Sequence, residues 1–203
     1  MYRSRFALAV ALVTILAPTA RVLAAAGPSG TVTCSVADTS REFAMIEFRP
    51  PYLSGEPSPT GILTKARMQG VCDSGGVIGG KFPITKVEAT LKGRLTEGTT
   101  CLTLTDTPSI DKLSVKISWL GIDANGHLRR VGGSSGKLGS VSWDDTAEAL
   151  VFTTGPLKGA FAGSPATVTM TLDNSHLQLG PGPCPPYSGL FWGADGESTV
   201  TVP

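Results

Sequence analysis

Four cysteines, two histidines, an acidic cluster and an aromatic cluster are the residues of this chain whose types carry chemistry. The cysteines are Cys34, Cys72, Cys101 and Cys184. None stand as CxxC, and His127 and His176 lie apart from them in sequence, so the spacing does not suit a zinc site. An even number of cysteines behind an export leader points to disulfides. Sequence alone leaves three pairings open. Phase favours Cys34–Cys72 together with Cys101–Cys184. Cys34 shares a side with Val32 and Val36, and Cys72 with Ala66 and Met68. Two inward cysteines on adjacent or facing strands come within bridging distance. In the chain-entropy model each bridge stabilises by about 4 kcal/mol.

Asp144, Asp145 and Glu148 form the densest acidic group. Two carboxylates facing each other across a cleft would serve a glycosidase, while a cluster this tight in sequence also suits a solvated turn. A serine nucleophile needs a base and an orienting acid, and no GxSxG surrounds any serine. His127 stands beside a tight turn, and His176 follows Asn174-Ser175 at a strand end. Gly75 to Phe82 (GGVIGGKF) meets seven positions of a phosphate-binding P-loop. Phe82 replaces the hydroxyl that holds magnesium, and the run enters a strand rather than a helix, so that reading is rejected. Asp123-Ala124-Asn125-Gly126 has part of a calcium-loop pattern. Aligned on Gly126, the first and twelfth positions are Gly121 and Gly132, so both carboxylates are missing and a hairpin turn explains the residues. No catalytic residue, metal ligand or cofactor motif is assigned.

The remaining cluster is Tyr187 to Trp192 (YSGLFW), after the proline-rich Gly180 to Pro186. Tyr187, Phe191 and Trp192 are candidate binding residues. A Cys101–Cys184 bridge would hold them as a rigid platform for sugars, lipid or a protein partner. The other reading makes Phe191 and Trp192 a plug for one end of the fold.

The elements that must position these residues begin after a leader. Arg3 and Arg5 precede a largely apolar run, Phe6 to Ala17, and the triplets Val22-Leu23-Ala24 and Ala24-Ala25-Ala26 offer cleavage sites. This is the layout of a secretory signal peptide over 1–26, too short to span a bilayer comfortably. The mature domain is then 27–203, with no membrane association after cleavage and a secreted or cell-envelope location. The whole chain has 17 Lys and Arg against 16 Asp and Glu; losing Arg3, Arg5 and Arg21 leaves 14 against 16, a net −2. No basic block survives processing, which argues against nucleic acid.

Two long alternating runs organise the domain. Ile62, Thr64, Ala66, Met68, Gly70 and Cys72 share one phase, against Lys65, Arg67 and Gln69. Val87, Ala89, Leu91, Gly93 and Leu95 alternate with Lys86, Glu88, Thr90, Lys92, Arg94 and Thr96. A period of two gives each strand a dry face and a wet face, and the glycine-rich connector 73–80 joins them as antiparallel neighbours. Further strands are expected at 31–37, 42–49, 113–122, 127–131, 140–143, 150–154, 166–173 and 197–202, and 101–104 reads as a short strand or a bulged edge. Gly132 to Gly136 reads as loop, 144–149 as one helical turn, and Asn125-Gly126 as a two-residue type I′ turn. Short strands with frequent turn signals predict one all-β antiparallel sandwich with two disulfides, an open barrel being the second choice.

GTVTCSV, FRPPY, a strand closing in GVC, GTTCLTL, and KISW before a hairpin occur in that order. The arrangement resembles small secreted proteins of unknown function that are numerous in actinobacteria such as mycobacteria, nocardiae and streptomycetes. The resemblance implies an exported, disulfide-bonded all-β domain and carries over no catalytic residue. Two function classes stay open. One is a binding or structural module of the envelope, its partner a cell-wall polymer or a protein. The other is an extracellular hydrolase of cell-wall or environmental polymers, working through acidic residues.

Overall fold

The computed structural model describes residues 30–36, 43–48, 55–57, 61–73, 76–78, 82–100, 103, 110–171, 190–191 and 198–203. The leader, Cys101, Cys184, His176, Tyr187 and Trp192 lie outside these residues. So does the expected second disulfide.

The described chain is built of strands: β1 (Val32–Ser35), β2 (Phe43–Phe48), β3 (Leu63–Cys72), β4 (Val77–Ile78), β5 (Phe82–Leu95) and β6 (Ile110–Ile122). They are followed by β7 (Leu128–Asp144), β8 (Ala149–Thr154), β9 (Lys158–Gly159), β10 (Thr167–Thr171), β11 (Leu190–Phe191) and β12 (Thr199–Val202). The alternation fixes which face is dry. In β3, Thr64, Ala66, Met68, Gly70 and Cys72 are buried while Lys65, Arg67 and Gln69 are not. β5 buries Val87, Ala89, Leu91 and Leu95, and β6 buries Leu113, Val115, Ile117 and Trp119.

The all-β expectation holds, but the sandwich is replaced by a barrel. The order β3–β1–β12–β10–β8–β7–β6–β5 returns to β3 through an additional β3–β5 ladder, closing eight antiparallel strands. A sandwich and a barrel share the same alternation, because each needs only one dry face per strand. What separates them is curvature. β5, β6 and β7 run for 14, 13 and 17 residues. Bulges interrupt their ladders at Ile84/Lys86, Lys92/Arg94, Trp119/Leu120 and Leu138/Ser140. Each bulge adds local twist and bend, so strands this long coil round until the ladder meets itself.

Two of the wall strands are interrupted. β1 and β2 follow one another along the same edge of β3, with Cys34 opposite Cys72 and then Phe43 to Phe48 opposite Gln69 to Thr64. β12 lies on β1, and β11 lies on β2. Between these pairs the Val36 N–H donates to the Ser198 carbonyl at 2.9 Å. The β1–β3 seam registers only Cys34 on Cys72 and Ser35 on Val71. The Cys34–Cys72 disulfide, S–S 2.05 Å, therefore staples the shortest seam of the closed wall. This is the pairing that phase favoured.

Gly132 to Gly136, expected as loop, lies inside β7. Small residues stand here because other groups cross the strand: a Cβ on Gly132 would come within 2.7 Å of Ile78, and one on Gly136 within 3.0 Å of Leu157. Buried Ser134 between them accepts the Trp119 indole N–H at 2.9 Å and donates to the Ala160 carbonyl. Trp119 also meets Phe161 edge-on at 5.1 Å. With Phe152, Met68, Leu91 and Ile117 also buried, side chains fill the barrel interior in the manner of small eight-stranded barrels. Apolar residues face in and polar residues face out, the reverse of a membrane-spanning barrel.

The 144–149 segment is a turn, not a helical turn, with Glu148 at φ 47°. The Asn125-Gly126 hairpin also differs from the expected type I′ form, since only Gly126 there has positive φ (80°). Its N–H donates to the Asp123 carbonyl, and the Asp123 N–H to the His127 carbonyl, both at 2.9 Å. That is the longer loop with one left-handed glycine. Asp123 selects it by accepting the N–H groups of Asn125 and His127 on its own carboxylate.

Candidate functional site

The exterior of the barrel is divided by charge. On one side, β3, β5, β6 and the first half of β7 carry cations on the wet phase of the alternation. Register brings these together in two adjacent rows. One row runs Met45, Arg67, Thr90, Lys116, Ser135, Lys158 across β2, β3, β5, β6, β7 and β9. The next runs Glu47, Lys65, Lys92, Ser114, Lys137 across β2, β3, β5, β6 and β7.

Reading across the strands, Arg67, Lys92, Lys116, Lys137 and Lys158 alternate between the two rows, one to a strand. Each is the diagonal cross-strand neighbour of the next, a separation of about 7–8 Å. All five are exposed. Among the described residues none of the five has an ion-pair partner; the carboxylate of Asp123 is taken by Arg129 and His127 at the hairpin. Lys65 stands directly opposite Lys92 on one side and Glu47 on the other. Two shallow grooves lie along this track. One of about 480 Å³ is lined by Ser114, Lys116, Ser135, Lys137 and Lys158 among others. The second, of about 430 Å³, is lined by Lys65, Arg67, Thr90, Lys92 and again Lys116, with the carboxylate of Glu88 on the neighbouring register row among its other lining residues.

The opposite side has no charge on its strands. β1, β12, β10 and β8 present Thr33, Thr201, Thr167 and Thr153 in one register row that continues to Ser140 of β7. A second row is Ser35, Thr199, Thr169, Val151 and Ser142. The Thr33 and Thr201 hydroxyls are 3.4 Å apart.

The residues singled out from the sequence fall elsewhere. Asp144 accepts the N–H groups of Thr146 and Ala147 at 2.9 and 3.1 Å, so its carboxylate caps the β7–β8 turn. Asp145 and Glu148 are exposed on that turn. His127 is exposed in the β6–β7 hairpin near Asp123. There the backbone N–H of His127, and secondarily that of Asn125 and the charge of Arg129, hold the Asp123 carboxyl below its ordinary value despite some opposing desolvation. Among the described residues no cluster of His, Cys, Asp and Glu could hold a metal ion. Of the aromatic candidates, Phe191 is placed by its backbone in β11 opposite Ile46, and Tyr187 and Trp192 lie outside the described residues.

The cation track was not among the sequence candidates. Its members were legible singly, as the wet phase of alternating runs. Their alignment was not, because Arg67, Lys92, Lys116, Lys137 and Lys158 form no block in sequence. Comparison with protein-family models, curated proteins and solved structures finds no match to this chain.

Proposed function

We propose that this protein is a secreted or cell-envelope-associated binding module, with the cation track as its working surface and an anionic component of the envelope as its partner. The observation that supports this is the alignment itself. Without the leader the formal charge is −2, from 14 Lys and Arg against 16 Asp and Glu, yet Arg67, Lys92, Lys116, Lys137 and Lys158 stand on neighbouring strands of one wall. Like charges on adjacent strands repel and weaken a sheet. The threonine wall shows that the barrel does not need them to be solvated. A focused field of one sign attracts partners of the other and speeds their encounter. The leader pattern and the Cys34–Cys72 bridge support an exported, oxidising location, in keeping with the actinobacterial resemblance.

The exported protein, incubated with isolated cell-wall fractions at low salt, should be retained and then released by salt. Replacing Lys92, Lys116 and Lys137 together by Ala should weaken retention by about a hundredfold with little change in the melting midpoint. Equal retention of both proteins would remove the cation track from the function.

A further inference from the structure

Resting on that reading, we infer that the partner is an extended, phosphodiester-linked polymer other than nucleic acid, lying across the strands with its anionic groups on Arg67, Lys92, Lys116, Lys137 and Lys158. Three observations select this class. The first is the spacing. Neighbouring cations stand on backbone positions about 7–8 Å apart and the five together span roughly 20 Å across the strands, so a single phosphate cannot serve them all and would leave the rest repelling. The two grooves share Lys116 and so form one continuous track.

The second is curvature. β3, β5, β6 and β7 are four consecutive strands of an eight-strand barrel, and β9 extends the track past them. A track that bends round half a convex barrel cannot lie flat on a lipid surface or on a stiff duplex. A flexible chain can follow it. The third is side-chain type. Four of the five cations are lysines, point charges whose rotatable donors bind phosphate without a fixed fork geometry and so can follow a flexible chain. Hydroxyls of Thr90, Ser114 and Ser135 stand between them in register. No aromatic side chain occurs in the two rows, so nucleobases find no ring to stack on.

The test is binding of the exported protein to a synthetic poly(glycerol phosphate) chain longer than the roughly 20 Å track. Inorganic phosphate, polygalacturonate, single-stranded and duplex DNA, and phosphatidylglycerol vesicles serve as competitors. About five contacts at single-strand charge density predict a hundredfold loss of affinity between 50 and 200 mM salt, order of magnitude. Lys116→Glu, at the junction of the grooves, should lower both the affinity and the salt slope. Arg130→Glu, outside the track, should change neither, and circular dichroism should show both variants folded. Inorganic phosphate should compete only weakly. The inference is overturned if the polymer does not bind, if polygalacturonate, DNA or vesicles bind as tightly, or if Lys116→Glu and Arg130→Glu behave alike. Should the protein be retained by cell-wall fractions yet ignore poly(glycerol phosphate), the ligand class fails and the binding-module reading stands. Loss of both interactions removes both.

Discussion

The two walls of this barrel share one core and differ in what they show to water. Under the cation wall lie Met68, Leu91, Ile117 and Trp119; under the threonine wall lie Val168, Phe152, Leu150 and Val200. All belong to the same buried cluster. The outer faces differ in kind. One carries lysines and an arginine at regular cross-strand intervals with Glu47 and Glu88 beside them, and the other carries mainly threonine and serine hydroxyls in equally regular rows. Threonine is the economical choice for a sheet exterior, since its branched Cβ suits the pleated backbone and its hydroxyl is soluble. A wall that departs from this choice to place like charges side by side gives up some stability. The difference between the walls thus separates what the barrel needs in order to fold from what it displays.

The largest effect should come from the shared core, and should be the same under either wall. Trp119→Ala and Phe152→Ala are each expected to cost about 3–5 kcal/mol, as for other aromatic truncations in cores. Denaturant unfolding measures both. A small loss at one site and a large loss at the other would mean that the walls do not close on a common core.

Exchanging the walls should have a smaller effect of opposite sign. Lys92→Thr gives the cation wall the residue type of its counterpart and removes the direct Lys65–Lys92 opposition. It is expected to raise stability by about 0.2–1 kcal/mol at low salt, with the gain fading as salt screens the charges. The same variant should bind the envelope less well. A destabilised Lys92→Thr would show that the lysine serves the fold, and the contrast between the walls would lose its functional meaning.

The smallest effect is local to the hairpin that ends the cation wall. The folded pKa of Asp123 is lowered from 3.8, first by the His127 N–H. A lowered carboxylate contributes stability that is fully present above the unfolded value and is lost as pH falls through the folded one. The Asn125 and His127 amides should therefore lose protection only below the ordinary aspartate range, with the rest of the barrel unaffected. Amide shifts followed through an acid titration would show this. A transition near neutral pH would show that the Asp123 carboxylate is not what holds the hairpin.

Alternation was enough to place the strands and their dry faces, because a period of two is a property of the local chain. Thr64 to Cys72, Val87 to Leu91 and Leu113 to Trp119 bury the residues that their phase indicates, while Gly93, beside the Lys92/Arg94 bulge, is only half-buried. The same logic selected Cys34 and Cys72 as partners from three pairings. Where local signals misled, a tertiary contact had overruled them. The run from Gly132 to Gly136 has the composition of a loop and is a strand, because its lack of side chains leaves room for Ile78 and Leu157 while Ser134 serves the Trp119 indole. Asp123 replaced the expected tight turn by a longer one through two hydrogen bonds of its own.

Closure and the alignment of the cations belonged to the tertiary structure alone. Whether a set of one-faced strands ends in two sheets or in one closed wall depends on bulges and on which edges finally meet. The β3–β5 and β1–β3 ladders decide it. Register then determines which outward residues become neighbours, and a slip of one residue in any ladder would have turned Lys92 or Lys116 into the core. The chain wrote five separate cations on five separate strands. Only the pairing of those strands, driven by burial on the other face, set them side by side.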